Sequence, residues 1–442
     1  MSSVKPQAKF SRTNRHFSHT FFCSLLAFSG AVSGSLNASP WLETSDPFLR
    51  SSLVLLSDAG QISAPINQYP LRWSLIGDDL NHTEIQQPLE GDVQLARNEL
   101  RYALNSAKLN RGNKSVEMQF ASDPFPASGY GEVSGDKWGV STSVDYLGST
   151  FAYRLSLSYR DNNNEEEIDW TDSYLSLNAG KWLFTAGELD YWWGQGWQHN
   201  LILASYARAT SSLNANYISH NNWLGVWSVQ ALLSHPKEAV YDNHGALRLV
   251  AKPWRHVEIG TTYQNWFSGS EAEDDQQLAF DAKLTLPHVD NLYHSVYTEL
   301  ASTADVVSLG AWMVGWTGSM KVQDNTVRMV LETQQHTNDY DATDWHSGVY
   351  PSTSDSVTNN SYLLDDSYAI AFYVQRMNDH SIGVSYQSSK LDGESVDITK
   401  LIYRMPALSG MLQLDVIAKD DASTSNEQHQ VSEWRAGYEL RF

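Results

Sequence analysis

The residues best equipped to bind something run from Gly187 to Asn200: Gly187-Glu188-Leu189-Asp190-Tyr191-Trp192-Trp193-Gly194-Gln195-Gly196-Trp197-Gln198-His199-Asn200. A plain turn does not need three tryptophans, a tyrosine, two carboxylates, amides and glycines. Aromatic faces stack on the apolar side of sugar rings, and carboxylates and amides share the hydroxyl hydrogens around the rim. Glycines let the chain bend so that such groups converge. The same composition also suits an interfacial aromatic belt joined to a constriction filler. A second set, Tyr293, Tyr297 and Glu299, shares one face of a strand whose other face carries Leu292, Val296 and Leu300. The candidate polymer contacts are therefore Glu188, Asp190, Tyr191, Trp192, Trp193, Gln195 and Trp197, with Tyr297, Glu299 and Arg208. Arg154, Arg160, Arg208, Arg248 and Arg328 either balance an acidic lining or hold carboxylates of an acidic polymer.

Catalytic patterns are missing. The chain has no Gly-x-Ser-x-Gly elbow, no His-Glu-x-x-His pair, no cysteine cluster and no phosphate loop. No cofactor or metal is expected from these residues, and histidines such as His199, His220, His235 and His244 are given ordinary hydrogen-bonding roles.

The elements that must carry these residues follow from periodicity. Asp46 as N-cap and Pro47 at the first helical position open a helix that runs to Gly60. A second helical pattern covers 93–109, with Leu95, Tyr102 and Leu109 spaced for one face; Pro65, Pro70 and Pro88 make the stretch between them loop-rich. From Lys114 the period changes to 2. Phe151, Tyr153, Leu155, Leu157 and Tyr159 alternate with polar residues, and in the last strand Trp434, Ala436, Tyr438, Leu440 and Phe442 oppose Glu433, Arg435, Gly437, Glu439 and Arg441. About eighteen such segments can be marked, each near the length a barrel strand needs to cross a bilayer. Acidic or polar insertions at 162–167, 268–276, 336–366 and 420–428 are expected on the outer side, and tight links such as Gly180-Lys181 on the periplasmic side.

The N-terminus has the order of a secretory signal: Lys5, Lys9, Arg12 and Arg15, an apolar run from Thr20 to Val32, then a cut after Ala38. The run is short of the ~20 apolar residues a membrane helix requires. The expected organisation is a signal over 1–38, a partly helical periplasmic or luminal segment over 39–110 and an outer-membrane barrel over 111–442. The mature part holds 26 basic against 51 acidic residues, which makes nucleic acid a poor partner. The single cysteine, Cys23, lies inside the signal. The 16 tryptophans and 22 tyrosines exceed what a soluble core requires.

In order along the chain, Ser39-Pro40-Trp41, Asp46-Pro47-Phe48-Leu49-Arg50, Leu53 to Gly60, Tyr69-Pro70-Leu71-Arg72-Trp73, Gly129-Tyr130-Gly131-Glu132, Trp192-Trp193-Gly194-Gln195-Gly196-Trp197 and Tyr297-Thr298-Glu299-Leu300-Ala301 resemble the Wzi-type capsule assembly family. The resemblance implies an all-β transmembrane barrel of about eighteen antiparallel strands with a small N-terminal helical plug. It implies a non-enzymatic, lectin-like role, holding capsular polysaccharide or exopolysaccharide at the surface of the bacterial outer membrane. Its partners would be that polymer, outer-membrane lipid and, during biogenesis, the barrel assembly machinery, with the chain acting as a monomer. The chain departs from relatives between His346 and Ser367, which is rich in Ser, Thr and Asn. A porin or sugar-selective channel and a barrel hydrolase are the alternative readings.

Overall fold

The computed structural model describes residues 40–442, apart from 82–90, 110–111, 124–128, 132–135, 163–164, 205–208, 236–241, 269–274, 304–305, 338–365, 377, 392–393 and 423–428. The expected signal, Arg208 and nearly all of the departing stretch after His346 lie outside the described residues.

The chain from Lys114 onward closes into an antiparallel barrel. Its staves are β1 (Lys114–Ala121), β2 (Trp138–Leu147), β3 (Phe151–Asn162), β4 (Glu165–Asp169 continued by Tyr174–Ala179), β5 (Trp182–Glu188), β6 (Ser211–Asn221), β7 (Gly225–Ser234), β8 (Asn243–Trp254) and β9 (Val257–Phe267). They continue as β10 (Asp275–Thr285), β11 (Tyr293–Ser302), β12 (Leu309–Val322), β13 (Asn325–His336), β14 (Asp366–Arg376), β15 (Ser381–Leu391), β16 (Glu394–Ala407), β17 (Gly410–Ala422) and β18 (His429–Arg441). The expected count of eighteen holds because the two pieces of β4 both pair with β3 and form one interrupted stave. At the interruption the Ser173 hydroxyl fills the ladder, accepting from Ser156 N and donating to Ser156 O. The ring closes where β18 meets β1, with Leu440 opposite Val116 and Arg435 opposite Ala121. Closure leaves no unpaired edge in hydrocarbon, where each free backbone group costs several kcal/mol.

Alternation sorts the side chains. Leu155, Leu157, Phe280, Leu401, Val416 and Trp434 face outward and are exposed, whereas Arg154, Asp281, Lys400, Asp415 and Arg435 point into the lumen. Trp182, Phe184, Tyr217 and Trp227 stack in one rim cluster, as an interfacial aromatic girdle does. Links of two or three residues, at 180–181, 222–224, 255–256, 323–324 and 408–409, share the end that carries Lys114 and Phe442. Most of the longer connections, and all four expected acidic or polar insertions, fall at the opposite end; the exception is 286–292, which shares the end with the short links, and the insertion expected at 162–167 is largely strand, in β3 and β4. Short turns mark the periplasmic rim of this class and long loops the outer one.

The lumen is filled from the periplasmic rim by three helices. The first, α1 (Pro47–Asp58), starts as expected: the Asp46 carboxylate accepts from Phe48 N and Leu49 N, and Pro47 occupies the first turn. Between the prolines, α2 (Trp73–Asn81) occupies a stretch expected to be loop. Pro70 and Pro88 flank it without interrupting it, and Trp73, Ile76, Gly77 and Leu80 form the buried stripe. In α3 (Gly91–Leu109) the expected face is reversed. Val93, Ala96, Leu100 and Leu104 are buried, while Tyr102 and Leu109 are exposed at 73% and 61%. The rival stripe won because only it meets the packed residues of α1 and α2.

Two outcomes test this arrangement. Leu401, near the middle of β16 and facing lipid, should lose about 2–4 kcal/mol of stability as Leu401→Arg, measured by urea titration of refolding into liposomes. A variant as stable as wild type would contradict the lipid assignment. Burial pushes the Glu99 carboxyl of α3 up to about 7, against hydrogen bonds from Ser52 and Gln375. The same carboxyl titrates near 4.5 in an unfolded chain, so its contribution is intact below that pH and is lost as pH rises toward about 7. Thermal unfolding midpoints should fall over this interval and flatten in Glu99→Gln.

Candidate functional site

The connection between β5 and β6, residues 189–210, leaves the outer rim and turns into the lumen. There Trp192 and Trp193 form a two-residue antiparallel ladder with Tyr69 and Gln68 of the N-terminal segment. Trp193 N donates to Leu203 O at 2.7 Å and Gly194 N to Asn67 O at 3.0 Å. The inward loop and the plug thus meet as backbone, in mid-lumen.

Two wall carboxylates hold the loop. Glu299 of β11 accepts from Gln195 N (2.6 Å), Gly196 N (2.9 Å) and Leu201 N (2.9 Å). Glu332 of β13 accepts from Trp197 N (2.6 Å), Gln198 N (2.9 Å) and His199 N (2.9 Å). Six amide donors thereby converge on two buried anions, and charge-assisted bonds of this kind are about twice as strong as neutral ones. Register explains a further bond. Tyr297, Gly315 and Glu332 lie side by side across β11, β12 and β13, and a Cβ on Gly315 would sit 2.3 Å from the Tyr297 ring. The bare glycine lets the ring cross β12 so that Tyr297 OH donates to Glu332 at 2.6 Å. His199 completes the set, with Nδ1 3.1 Å from Glu332 and Nε2 2.7 Å from Ser367 Oγ.

The plug grips the other side of the same peptides. Arg50 of α1 donates to Gly196 O and Gln195 O, both at 2.9 Å, and its guanidinium lies 4.2 Å from the Tyr130 ring centroid and 4.4 Å from that of Trp197. Arg328 donates to Ser51 Oγ and O, and Arg248 to Asn67 O and Asp281. Lys283 pairs with Asp58 at 2.8 Å. Three of the five arginines expected to balance an acidic lining do so: Arg248 pairs with Asp281, Arg154 with Asp145 and Glu43, and Arg160 with Asp169, whereas Arg328 is held by Ser51 and Thr317 and Arg208 lies outside the described residues.

The expected contact residues therefore divide. Trp192, Trp193 and Trp197 are at most 1% exposed, Gln195 donates to Asp281, and Tyr297 and Glu299 are buried beneath them. The expectation of sugar rings stacked on these indoles meets a segment whose faces are already covered by the chain itself. Tyr191 is also buried, its hydroxyl between Ser212 and Asn214. Glu188 and Asp190 alone among the described candidates keep partial exposure, at the outer end of β5. Glu188 accepts from Ser211. Burial and the neighbouring carboxylates Asp172, Glu43 and Glu188 push the Asp190 carboxyl up, so it tends to keep a proton it can donate. Arg208 lies outside the described residues. Arg50, Tyr130 and Glu332 were not among the candidates. The only local signal for Arg50 is a cation in an otherwise apolar or small-residue helix; Glu332 looks like any lumen-parity carboxylate. Among the described residues no three His, Cys, Asp or Glu side chains are placed to hold a metal ion.

Glu332→Ala strands three backbone donors and the Tyr297 hydroxyl, and should cost on the order of 3 kcal/mol or more. Gly194→Ala should fail similarly, because Gly194 has φ +128 and its Cβ would lie 2.3 Å from Glu299. Glu188→Gln, half-buried at the outer end of β5, should stay within about 0.5 kcal/mol of wild type. Urea midpoints in detergent rank the three; equal midpoints would remove the latch from the account.

Residues 107–281, about two-fifths of the chain, match the family described as capsule assembly protein Wzi. No curated protein matches the chain by sequence. Among solved structures, the fold is similar to that of Wzi from Escherichia coli, described as an outer membrane protein involved in group 1 capsule assembly and a carbohydrate-binding β-barrel. The TM-score is 0.75 at 15% identity, covering 92% of this chain and 100% of that one. Pseudomonas aeruginosa OccK5 (OpdH) matches at TM-score 0.49 and 8% identity over 74% of this chain and 98% of its own, and OccD3 (OpdP) at 0.48 and 12% over 74% and 90%. Over residues 107–281 the chain is thus similar to the family described as capsule assembly protein Wzi, and its eighteen-stranded barrel has the fold of the Escherichia coli protein.

Proposed function

We propose that the protein holds capsular polysaccharide or exopolysaccharide at the cell surface and does so without covalent chemistry. The observation that carries this reading is the family match over residues 107–281, the stretch that contains the inward loop and the staves on either side of it. The geometry is compatible with it: two sets of latches fix the inner chain, so the barrel serves as a rigid mount for its outer loops. A general porin is the weaker reading, because the mid-lumen is occupied by α1 and the 189–210 loop. Polymer contact is assigned to the outer rim, where Glu188 and Asp190 keep water access, and Arg208 belongs to the same connection. The buried tryptophans, Gln195, Tyr297 and Glu299 support that rim from beneath. The closed ring needs no second copy to satisfy its edges, so the working unit is a monomer.

The test is saturable binding of the purified, detergent-solubilised protein to surface polysaccharide of the producing organism. Glu188→Gln with Asp190→Asn should weaken binding severalfold while leaving the unfolding midpoint in place. Trp193→Ala with Trp197→Ala should lose binding together with stability. Absence of binding by the folded wild type, with a large porin-like conductance, would overturn the reading.

A further inference from the structure

The lipid-facing wall is dented on one side. Register sets the outward residues Ala251, Ile259, Ala282 and Thr298 side by side across β8, β9, β10 and β11. The neighbouring row toward the outer rim is Leu249, Thr261, Phe280 and Leu300, and the row toward the periplasm is Val257, Leu284 and Val296. The middle row is thus small at all but Ile259, while the rows on either side carry mostly large apolar chains. A groove of about 370 Å³ results, walled by Leu249, Ile259, Phe280 and Leu300. Phe280 stands 48% exposed and Leu300 37%, whereas Ala251 between its neighbours is 1% exposed.

The groove offers hydrocarbon and little else. Thr298 Oγ1 donates to Met313 O at 2.8 Å, so its hydroxyl is turned back onto the sheet. Asp281 also borders the groove, but its carboxylate faces the lumen, where it holds Arg248. The depth is set by the staves. Ala251, Ile259 and Ala282 lie close to the periplasmic ends of β8, β9 and β10, and Leu224 of the turn between β6 and β7 lines the same end. Trp223 and Trp254, 89% and 69% exposed at this rim, mark the level where indoles meet lipid headgroups.

We infer that this groove retains one acyl chain of a phospholipid from the periplasmic leaflet, as a long-lived ligand distinct from the lipid that exchanges around the rest of the barrel. An apolar hollow left unfilled forfeits dispersion contacts along its whole lining. A single flexible chain lying in it touches the floor and both walls at once, whereas on the convex parts of the barrel it touches one side only. A second barrel cannot take its place, because its wall is convex and the groove lies between projecting side chains. Lipid from the outer leaflet is anchored at the opposite rim, away from the end that Leu224 and Ala251 line. The proposal rests on the placement of the barrel in the membrane and is independent of polymer binding, which is assigned to the outer rim.

Native mass spectrometry of the full-length mature protein, extracted from outer membranes in a mild detergent, reads the bound lipid directly. Wild type is expected to keep one phospholipid per barrel through washing that strips bulk lipid. Ala282→Phe fills the middle of the groove and should lower this retention severalfold, with a smaller reduction in Ala282→Leu. Ala436→Phe on β18, likewise turned to lipid, should retain as much as wild type. Phosphatidylethanolamine added to the delipidated protein should raise the thermal unfolding midpoint of wild type by mass action and leave that of Ala282→Phe in place. Heat-modifiable gel migration checks that each variant is folded. Equal retention by folded Ala282→Phe and wild type would overturn the proposal, as would lipid A in place of phospholipid, detergent alone, or a dimer that buries the groove. Ala282→Phe should bind polysaccharide as wild type does, so failure of the groove and failure of the polymer reading appear in separate measurements.

Discussion

The peptide groups around Gln195 and Gly196 are gripped from two sides, and much of the inner structure depends on that grip. Their N–H groups point at Glu299 on the wall, and their carbonyls point at Arg50 on the plug. Anion, two peptides and cation form a sandwich in which the loop's own dipoles are the filling. Neither charged group is in water, so each would be a large liability alone. The loop satisfies Glu299 with three amides, and the carbonyls and the Tyr130 and Trp197 faces satisfy Arg50. Removing the loop would expose both costs together, which makes insertion of the loop and docking of α1 parts of one event.

A lumen built this way answers a problem particular to membrane barrels. The outward face is apolar because lipid requires it, so the inward face is left polar and cannot drive packing by apolar burial alone. Here the hydrophobic surface is brought in by the filling: Leu53, Leu55, Leu56, Ile76 and the three buried indoles form the core, and the wall contributes charged or amide side chains that reach the backbone of the filling. Carbonyls are available at every residue of the plug, and N–H donors at every residue except its prolines. A wall of Glu, Arg and Gln can therefore hold an apolar plug without demanding polar side chains from it.

The barrel was legible because its period is set by lipid. Outward Leu155, Leu157 and Trp434 and inward Arg154 and Arg435 repeat a two-residue rule that no tertiary contact needs to rescue. The helices were legible where a cap marked them, as Asp46-Pro47 marks α1. They were misread where packing decides between two stripes: Tyr102 and Leu109 offer as good a period as Ala96 and Leu100, and only α1 and α2 distinguish them. The tryptophan-glycine segment stood out by composition, yet its position did not. A sugar cleft and a buried latch both call for indoles, carboxylates, amides and glycines, and nothing local says whether a loop at the outer rim turns outward or inward. Glu299 was found because Tyr297 shares its face. Glu332 and Arg50 were not, since their partners are backbone groups more than a hundred residues away in the chain.

This division has a consequence for how function can vary within the fold. The latch uses main-chain partners, two glycines that tolerate no side chain, and carboxylates already engaged with all their neighbours, so almost any change there is paid in stability before it alters recognition. The outer rim is less constrained among the described residues: Glu188 and Asp190 are half-exposed, and the rim's loops attach to staves that are already paired. Selection for a different polymer can act on those loops while the sandwich at Gln195 and Gly196 stays intact. Slow change in the aromatic segment, because it holds the barrel's interior together, and freer change at the proposed binding rim are then expected in the same connection.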